Sequence, residues 1–256
     1  AGALSGGSQI GNPTAYSNIS NPQTIWVSVV NMYGCKSVTT LTVRVLPLPE
    51  PNMNPLPVVK CEDELGGTMA SFDLRSSELD LSNGDTSLSY TYFFSSEDAI
   101  NNTNAIDTPE DYFTETSTVY VRVTNNPGLP EEQCFVIVEL QLIVNSLPQI
   151  GPMTPLYVCN LNATGFHTFN LQDKNEQALA NQNPSNFSVR YYIDEESANE
   201  GLLPLSYTYT NVFEDVQQIF VRVENLSTGC YSIAPFNLVV EEKVFAYPPS
   251  DNLTFC

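Results

Sequence analysis

Short runs of alternating apolar and polar residues follow one another along most of the chain. In residues 219–223, Ile219, Val221 and Val223 fall on one face and Phe220 and Arg222 on the other, which is the period of a half-buried β-strand. Between residues 155 and 242, only residues 173–180 and 194–201 have a helical composition, and both segments are short. This pattern predicts an all-β sandwich architecture. Further strands are predicted at residues 38–46, 135–144, 156–159, 166–171, 186–193, 206–211 and 233–240.

The strand pattern recurs with a fixed period. Residues 24–29, 118–123 and 218–223 are similar, and each segment is followed by a cysteine and another strand. Those cysteines, Cys35, Cys134 and Cys230, are spaced by 99 and 96 residues, and the others, Cys61, Cys159 and Cys256, by 98 and 97. A self-contained immunoglobulin-like sandwich has about 100 residues. The chain is therefore predicted to hold tandem immunoglobulin-like repeats of about 97 residues.

Prolines mark the joints between the predicted repeats. Pro47, Pro49 and Pro51 follow the first copy, and Pro148 and Pro152 follow the second. Proline favours extended geometry and donates no ladder hydrogen bond, so it suits a semi-rigid spacer. The predicted domains are the C-terminal half of a repeat (1–48), two complete repeats (55–147 and 155–242) and the start of a further repeat (247–256). Since half a sandwich has no closed core, we expect the chain to be an excerpt of a longer array.

Two disulfide schemes fit the cysteine spacing. Pairing within each repeat gives Cys61–Cys134 and Cys159–Cys230, with Cys35 and Cys256 bonded outside the excerpt; sequential pairing gives Cys35–Cys61, Cys134–Cys159 and Cys230–Cys256. Loop-closure entropy separates them by only about 1 kcal/mol. A strand of some ten residues after Cys134 carries the chain about 30 Å away, and a disulfide needs Cα atoms within about 7 Å. This geometry favours pairing within the repeat.

Charge narrows the function classes. The chain carries 29 Asp and Glu against 9 Lys and Arg, a net charge of −20. Binding to nucleic acid or to anionic membrane surfaces needs cationic side chains, so we expect neither partner. No apolar run approaches the ~20 residues that span a bilayer, and we expect no membrane insertion. Single cysteines at regular spacing indicate disulfides, and disulfides indicate an oxidising, extracellular compartment.

No catalytic constellation stands out. His167 is the only histidine, and no nucleophile or metal partner can be named for it. Lying in a strand-like segment, it is expected to be structural. Phosphate-loop, nucleophile-elbow and zinc-protease motifs are absent from the sequence. We therefore predict no catalytic residues, no metal ligands and no enzyme activity.

Three other features of the sequence can each be explained either by a function or by ordinary structural chemistry. Calcium is the candidate ligand of the acidic loops, since it prefers six to eight oxygens, but a solvated acidic surface is the stronger expectation. No cofactor is predicted. Aromatic strand residues could form a sugar platform, although packing in the core is the stronger expectation. Arg122 and Arg222 recur at one position, and each is expected to pair with an acidic residue on the neighbouring strand. The acidic loops begin at Glu62, Asn83 and Asp194, and the aromatics are Tyr90, Tyr92, Phe93, Phe94, Tyr191 and Tyr192.

The same segments resemble a known family. Residues 219–225 (IFVRVEN) followed by 228–232 (TGCYS), the joint at 43–49 (VRVLPLP), and the opening of residues 159–171 with Phe169 resemble repeats of large Bacteroidetes cell-surface adhesins. The resemblance implies export by the type IX secretion system and, for some members, gliding motility. The first copy departs from the pattern at Ser28, which replaces the arginine. A C-terminal sorting domain is not found, so the secretion machinery is a partner by analogy only.

Two functions follow as expectations. The first is a non-catalytic stalk segment of a secreted surface adhesin, whose partners are further repeats of the same chain. The second makes the repeats themselves binding modules for surface polysaccharide or for other cell-surface proteins. Exposed apolar patches would favour the second, and a smooth acidic surface the first.

Overall fold

A computed structural model describes residues 8–125, 134–160 and 164–242 of the 256-residue chain. Most of the regular structure in these ranges is β-strand, and the four α-helices have four to six residues each. The strands are β1 Gln23–Val30, β2 Lys36–Val43, β3 Val58–Cys61, β4 Ala70–Phe72, β5 Ser89–Phe93, β6 Tyr112–Thr114, β7 Ser117–Thr124, β8 Phe135–Asn145, β9 Leu156–Asn160, β10 Thr168–Asn170, β11 Phe187–Tyr192, β12 Thr208–Thr210, β13 Val216–Asn225 and β14 Tyr231–Glu242. The helices are α1 Glu78–Leu81, α2 Ser96–Asn101, α3 Asn175–Leu179 and α4 Glu195–Glu200.

The alternation that predicted the strands also decides which side chains are buried. Ile219, Val221 and Val223 of β13 are fully buried, as the period of two requires. The helical segments are confirmed as well: the stretch at 173–180 contains α3, and the stretch at 194–201 contains α4. Asp194 caps the N-terminus of α4 by accepting a hydrogen bond from the backbone N–H of Ser197 at 2.8 Å.

Each of the second and third repeats has a four-stranded and a two-stranded sheet. The four-stranded sheets have the orders β3-β8-β7-β5 and β11-β13-β14-β9, and the two-stranded sheets are β4-β6 and β10-β12. In both repeats the opening strand runs parallel to the last one, β3 beside β8 and β9 beside β14. The prediction of tandem all-β, immunoglobulin-like sandwich repeats is confirmed.

The chain forms two compact units. Unit 1 comprises Ala1–Leu56, Ser76–Asp107 and Val119–Leu140, and unit 2 comprises Pro57–Arg75, Thr108–Thr118 and Gln141–Cys256. Neither unit coincides with one predicted repeat, so the predicted domain boundaries stay predictions. The further repeat predicted at 247–256 lies outside the described residues.

In unit 1, β1 and β2 form an antiparallel hairpin paired from Gln23↔Val43 to Val30↔Lys36. In unit 2, one apolar cluster forms the core of the third repeat. Its members come from all strands of that repeat but β9 and β12, and from the α3 region: Phe169, Leu171, Ala178, Leu179, Val189, Tyr191, Ile219, Val221, Val223, Phe236, Leu238 and Val240.

Candidate functional site: a stapled joint

A disulfide between Cys61 and Cys230 joins the second repeat to the third. Cys61 ends the opening strand β3, and Cys230 directly precedes β14. Their Cα atoms are 5.6 Å apart and they are separated by 169 residues in sequence. Cys230 is fully buried. The staple lies entirely within unit 2.

The predicted disulfide scheme is therefore wrong. Neither Cys61–Cys134 nor Cys159–Cys230 forms, because the two cysteines of a repeat stand at opposite ends of its last strand. In the third repeat, Cys159 faces Glu241 in the parallel ladder, which is 11 residues after Cys230. At about 3.3 Å per residue, this is roughly 35 Å, far beyond disulfide reach.

The sequential alternative is also excluded, since it gives Cys61 and Cys230 other partners. The sequence signal for this separation is the length of the last strand, which lies between the two cysteines of one repeat and therefore argues against pairing within the repeat as well. Among the residues that the structure describes, Cys35, Cys134 and Cys159 have no disulfide partner. Bonding of Cys35 outside the excerpt stays a prediction, and Cys256 lies outside the described residues.

The carboxylate of Glu62 holds the joint beside the disulfide. Its Oε1 accepts backbone N–H bonds from Gly66 at 2.8 Å and Leu147 at 3.0 Å, and its Oε2 accepts one from Thr68 at 3.2 Å. Burial works to raise the pKa of Glu62, but the three N–H donors together outweigh it and hold the pKa below its ordinary value. Glu62 thus ties its own loop to the chain that leaves the second repeat.

Residues after the second repeat are bonded directly to the third. The hydroxyl of Ser232 donates to the backbone oxygen of Pro148 at 2.6 Å. The amide of Gln182 accepts from Gln149 N at 3.2 Å and donates to Gln149 O at 2.6 Å. The joint is therefore fixed by side chains of the third repeat and is not a free linker.

Further along the joint, the backbone approaches α3 closely. Gln177 donates to the backbone oxygen of Pro152 at 2.6 Å, and Lys174 donates to the Thr154 hydroxyl at 3.0 Å. A Cβ placed on Gly151 would overlap the backbone oxygen of Gln177. Glycine is needed at residue 151 for this contact.

Arg222 connects three parts of the third repeat. Its guanidinium donates to the backbone oxygens of Ala198 at 2.9 Å and Asn199 at 2.8 Å, in the last turn of α4. It lies over the Tyr231 ring, 3.5 Å from the centroid, and forms an ion pair with Glu224 at 2.9 Å. Glu224 is two residues along the same strand, so the expected acidic partner exists but not on the neighbouring strand.

Arg122 repeats this arrangement in the second repeat. It donates to the backbone oxygens of Ala99 at 2.8 Å and Ile100 at 3.0 Å, within α2, and lies 3.4 Å from the Phe135 ring centroid. In both copies the aromatic residue directly follows the closing cysteine. The arginine therefore fixes a short helix to the strand that begins beside that cysteine.

The remaining predicted candidates have structural contacts. The backbone N–H of His167 donates to Asn211 Oδ1 at 2.7 Å, and its ring packs edge-on against Phe169 with centroids 5.7 Å apart. Of the predicted aromatics, Tyr92, Phe93, Tyr191 and Tyr192 are buried and only Phe94 is exposed. The expectation of core packing is confirmed for the four buried residues.

The acidic loops already use their carboxylates locally. Asp63 accepts from the backbone N–H of Ser71 at 2.9 Å, and Asp85 accepts from that of Ser87 at 2.8 Å. Among the described residues, no group of three His, Cys, Asp or Glu side chains is placed to hold a metal ion. Nor does any helix in the described ranges have the length and apolarity to cross a membrane.

The fold and the joint together define a class: a multidomain extracellular structural protein built from immunoglobulin-like repeats with a disulfide between domains. More narrowly, the chain belongs to the Flavobacterium inter-domain disulphide bond domain family, FIDD, which matches residues 1–49, 57–148 and 155–244. The three tandem matches point to the Bacteroidetes. No curated protein matches the chain.

Solved structures are similar only at a distance. The zebrafish RET cadherin-like domains 1 to 4 are 10% identical, with 91% of this chain and 61% of that chain covered and a TM-score of 0.23. The bradyzoite-specific antigen BSR4 of Toxoplasma gondii is 11% identical, with 75% and 93% covered and a TM-score of 0.19. At such scores neither structure carries an argument about function.

Proposed function

We propose that this chain is a non-catalytic stalk segment of a secreted bacterial surface adhesin, in which disulfides carry load across the joints between repeats. The observation that carries the proposal is the Cys61–Cys230 bond, because it links one repeat covalently to the next beside the peptide chain. Export by the type IX secretion system and a role in gliding motility are finer parts of this proposal, supported by the resemblance of the repeat phrases.

The staple changes how tension passes along the chain. A pull on the two ends enters at Cys61 and leaves at Cys230, so the residues between them bear no load even when they unfold. While the disulfide is intact, the 169-residue segment that it closes cannot be stretched. At about 3.4 Å per extended residue, this shortens the fully extended chain by a length on the order of 600 Å. An adhesin stalk needs this resistance to extension.

The joint and the surface charge support the same role. Hydrogen bonds that the Glu62 carboxylate accepts and that the side chains of Gln182 and Ser232 donate fix the joint in one arrangement, which suits a spacer more than a flexible tether. A net charge of −20 keeps long arrays soluble and discourages self-association.

Single-molecule pulling of the full chain, tethered at both ends, tests the proposal. The oxidised chain should reach a final contour length shorter by about 600 Å than the Cys61→Ser/Cys230→Ser double variant. Cys159→Ser is the matched control, since it removes a cysteine that has no disulfide partner among the described residues, and its length should equal that of the wild type. Equal lengths for the oxidised wild type and the double variant would refute the load-bearing staple.

A further inference from the structure

An open groove lies on the third repeat beside β11, the edge strand of its four-stranded sheet. This β11 groove has a volume of about 340 Å³. Its lining is mostly apolar, from Leu179, Pro184, Phe187, Val189, Tyr207 and Leu226, with Asn175 and Ser188 as polar members. Leu226 also lines a hollow of about 390 Å³, whose other lining residues are polar: Ser185, Asn186, Asn225 and Ser227.

The apolar lining of the β11 groove is accessible to a ligand. Leu226 is 63% exposed. Phe187 and Tyr207 pack against the core of the repeat but remain half-exposed. A concave surface that combines aromatic and aliphatic side chains with a few polar groups is the usual form of a small-molecule site.

The second repeat fills the corresponding place with a larger side chain. Tyr90 faces Val123 in its sheet, as Val189 faces Val223, so Tyr90 and Val189 occupy the same position of the repeat. The hydroxyl of Tyr90 is buried, so the tyrosine ring takes up space that the shorter valine leaves open. The groove is therefore a property of the third repeat and not a requirement of the fold.

The β11 groove is uncharged, although the chain has a net charge of −20. None of the described residues that line the groove or the hollow is acidic or basic. In the second repeat, Glu78 stands in place of Asn175: each accepts a hydrogen bond from a tyrosine hydroxyl, that of Tyr92 and that of Tyr191. An anion would find no cation here and a metal ion no carboxylate, so the lining fits an uncharged ligand.

A peptide strand is a poor fit, because the edge of β11 is already hydrogen-bonded. The backbone oxygen of Tyr191 accepts from Leu205 N at 2.8 Å, and that of Val189 accepts from the Tyr207 hydroxyl at 3.0 Å. Strand addition needs unpaired backbone groups along an edge. These acceptors are taken by the repeat itself.

Two amide side chains offer donors to a ligand. Asn225 Oδ1 accepts from the backbone N–H and the hydroxyl of Ser227, at 3.0 and 2.7 Å. Asn175 Oδ1 accepts from the Tyr191 hydroxyl at 2.8 Å. Both side chains thus present their NH₂ groups as donors, and within the described ranges neither NH₂ group has an acceptor. Hydroxyl oxygens of a ligand would complete them.

We propose that the β11 groove binds an uncharged oligosaccharide. The apolar faces of its sugar rings pack on Phe187, Tyr207 and Leu226, and its hydroxyl groups accept from Asn175 and Asn225. A sugar combines apolar ring faces with many hydroxyls and no charge, which is the combination that this lining accommodates. The inference goes beyond the stalk role, because it gives one repeat a ligand of its own.

An NMR titration of the full chain, with the Cys61–Cys230 bond intact, tests the proposal. The probes are three uncharged hexasaccharides, of glucose, of mannose and of galactose, which differ in the orientation of single hydroxyls. Each is added to about 10 mM, enough to detect millimolar affinity. At least one should shift the backbone amide signals of residues 184–189 and 225–227 in a saturable way. If none does, the proposal is overturned.

Two variants test whether binding uses the β11 groove. Val189→Tyr should weaken it at least about tenfold, because the tyrosine fills the groove as Tyr90 does in the second repeat. Val216→Tyr is the matched control, since it adds the same side chain at an exposed position outside the lining and should bind as the wild type does. Asn225→Asp keeps the oxygen that Ser227 needs but loses the NH₂ donors, so it should weaken binding about tenfold. Undiminished binding by both groove variants would refute the site.

Other probes distinguish the remaining occupants. A hexasaccharide of galacturonate carries carboxylates, and it should not shift the groove signals because the lining offers no cation. Octanol and an uncharged six-residue peptide represent an apolar ligand and an added strand. Groove shifts with galacturonate, octanol or the peptide that equal those with the uncharged sugars would overturn the assignment of the ligand. The pulling experiment does not involve the groove, so the proposed function stands or falls separately.

Discussion

Arg122 and Arg222 show how a single side chain joins separate parts of one repeat. Each guanidinium satisfies two helix carbonyls and covers an aromatic ring, combining charge-assisted hydrogen bonds with a cation–π contact. The recurrence of the arginine was visible in the sequence. Its main partners were not, because backbone carbonyls leave no trace in a pattern of side chains.

Replacing Arg222 with methionine should destabilise the third repeat. The variant keeps apolar contact with Tyr231 but leaves the oxygens of Ala198 and Asn199 without their donor, at a cost of roughly 2–3 kcal/mol in the free energy of unfolding. Urea unfolding followed by circular dichroism measures this difference. Arg190→Met is the matched control, since Arg190 lies opposite Arg222 in the same sheet but is exposed; a change as large there would contradict the assigned role.

The carboxylate of Glu62 should make the joint sensitive to acid. Its pKa is lower in the folded chain than in the unfolded one, so its stabilising contribution is complete above the ordinary pKa of glutamate and is lost as pH falls through the folded-state value. The Glu62→Gln variant should be less stable at neutral pH and should show a smaller loss of stability on acidification below about pH 4.5. Urea unfolding midpoints measured across this pH range test the direction of the stability change. Glu64→Gln, at an exposed glutamate, is the control. Parallel profiles of stability against pH for the wild type and Glu62→Gln would contradict a stabilising role of the Glu62 carboxylate in the joint.

At the scale of elements, the strands and the two short helices of the third repeat were predictable, whereas the helices Glu78–Leu81 and Ser96–Asn101 and the joint were not. Alternation in residues 219–223 reported the buried face directly, because the strand period and the burial period are the same. The joint depends on contacts between residues distant in sequence, such as Gln149 with Gln182. Proline content predicted a short, semi-rigid spacer, but it held no information about the side chains that fix it.

Gly151 offers a test of how closely the joint packs. In the Gly151→Ala variant, the new Cβ meets the backbone oxygen of Gln177, which cannot move aside as a flexible side chain can. We expect a loss of roughly 1–3 kcal/mol, typical of overpacking, and faster proteolysis within the joint. Calorimetry and limited digestion measure the two effects. Gly11→Ala, at a glycine with no neighbour within 4 Å, should change neither.

At the scale of the whole molecule, the disulfide connectivity depends on which end of each repeat's last strand lies next to the following repeat. The opening cysteine lies beside the last residues of its own repeat, as Cys61 faces Asn145, and those residues lead directly into the joint. The next closing cysteine, Cys230, stands on the other side of that joint. Sequence reasoning found the repeats and their period but treated each as closed, and so missed a bond that needs two repeats to exist.

The staple should also dominate resistance to unfolding. Closing a 169-residue loop lowers the entropy of the unfolded chain by an amount worth about 5 kcal/mol in the chain-entropy estimate. Cys61→Ser and Cys230→Ser should therefore lower the urea midpoint of unit 2 by similar amounts, and the double variant should lose no more than either single one, since each removes the same bond. Cys134→Ser and Cys159→Ser should leave the midpoint unchanged. Non-reducing peptide mapping supplies the matching chemical readout: a linked pair of peptides containing Cys61 and Cys230, which one reduction step separates. Additive losses in the double variant, or a linked pair containing Cys134 or Cys159 instead, would show that a different connectivity stabilises the chain.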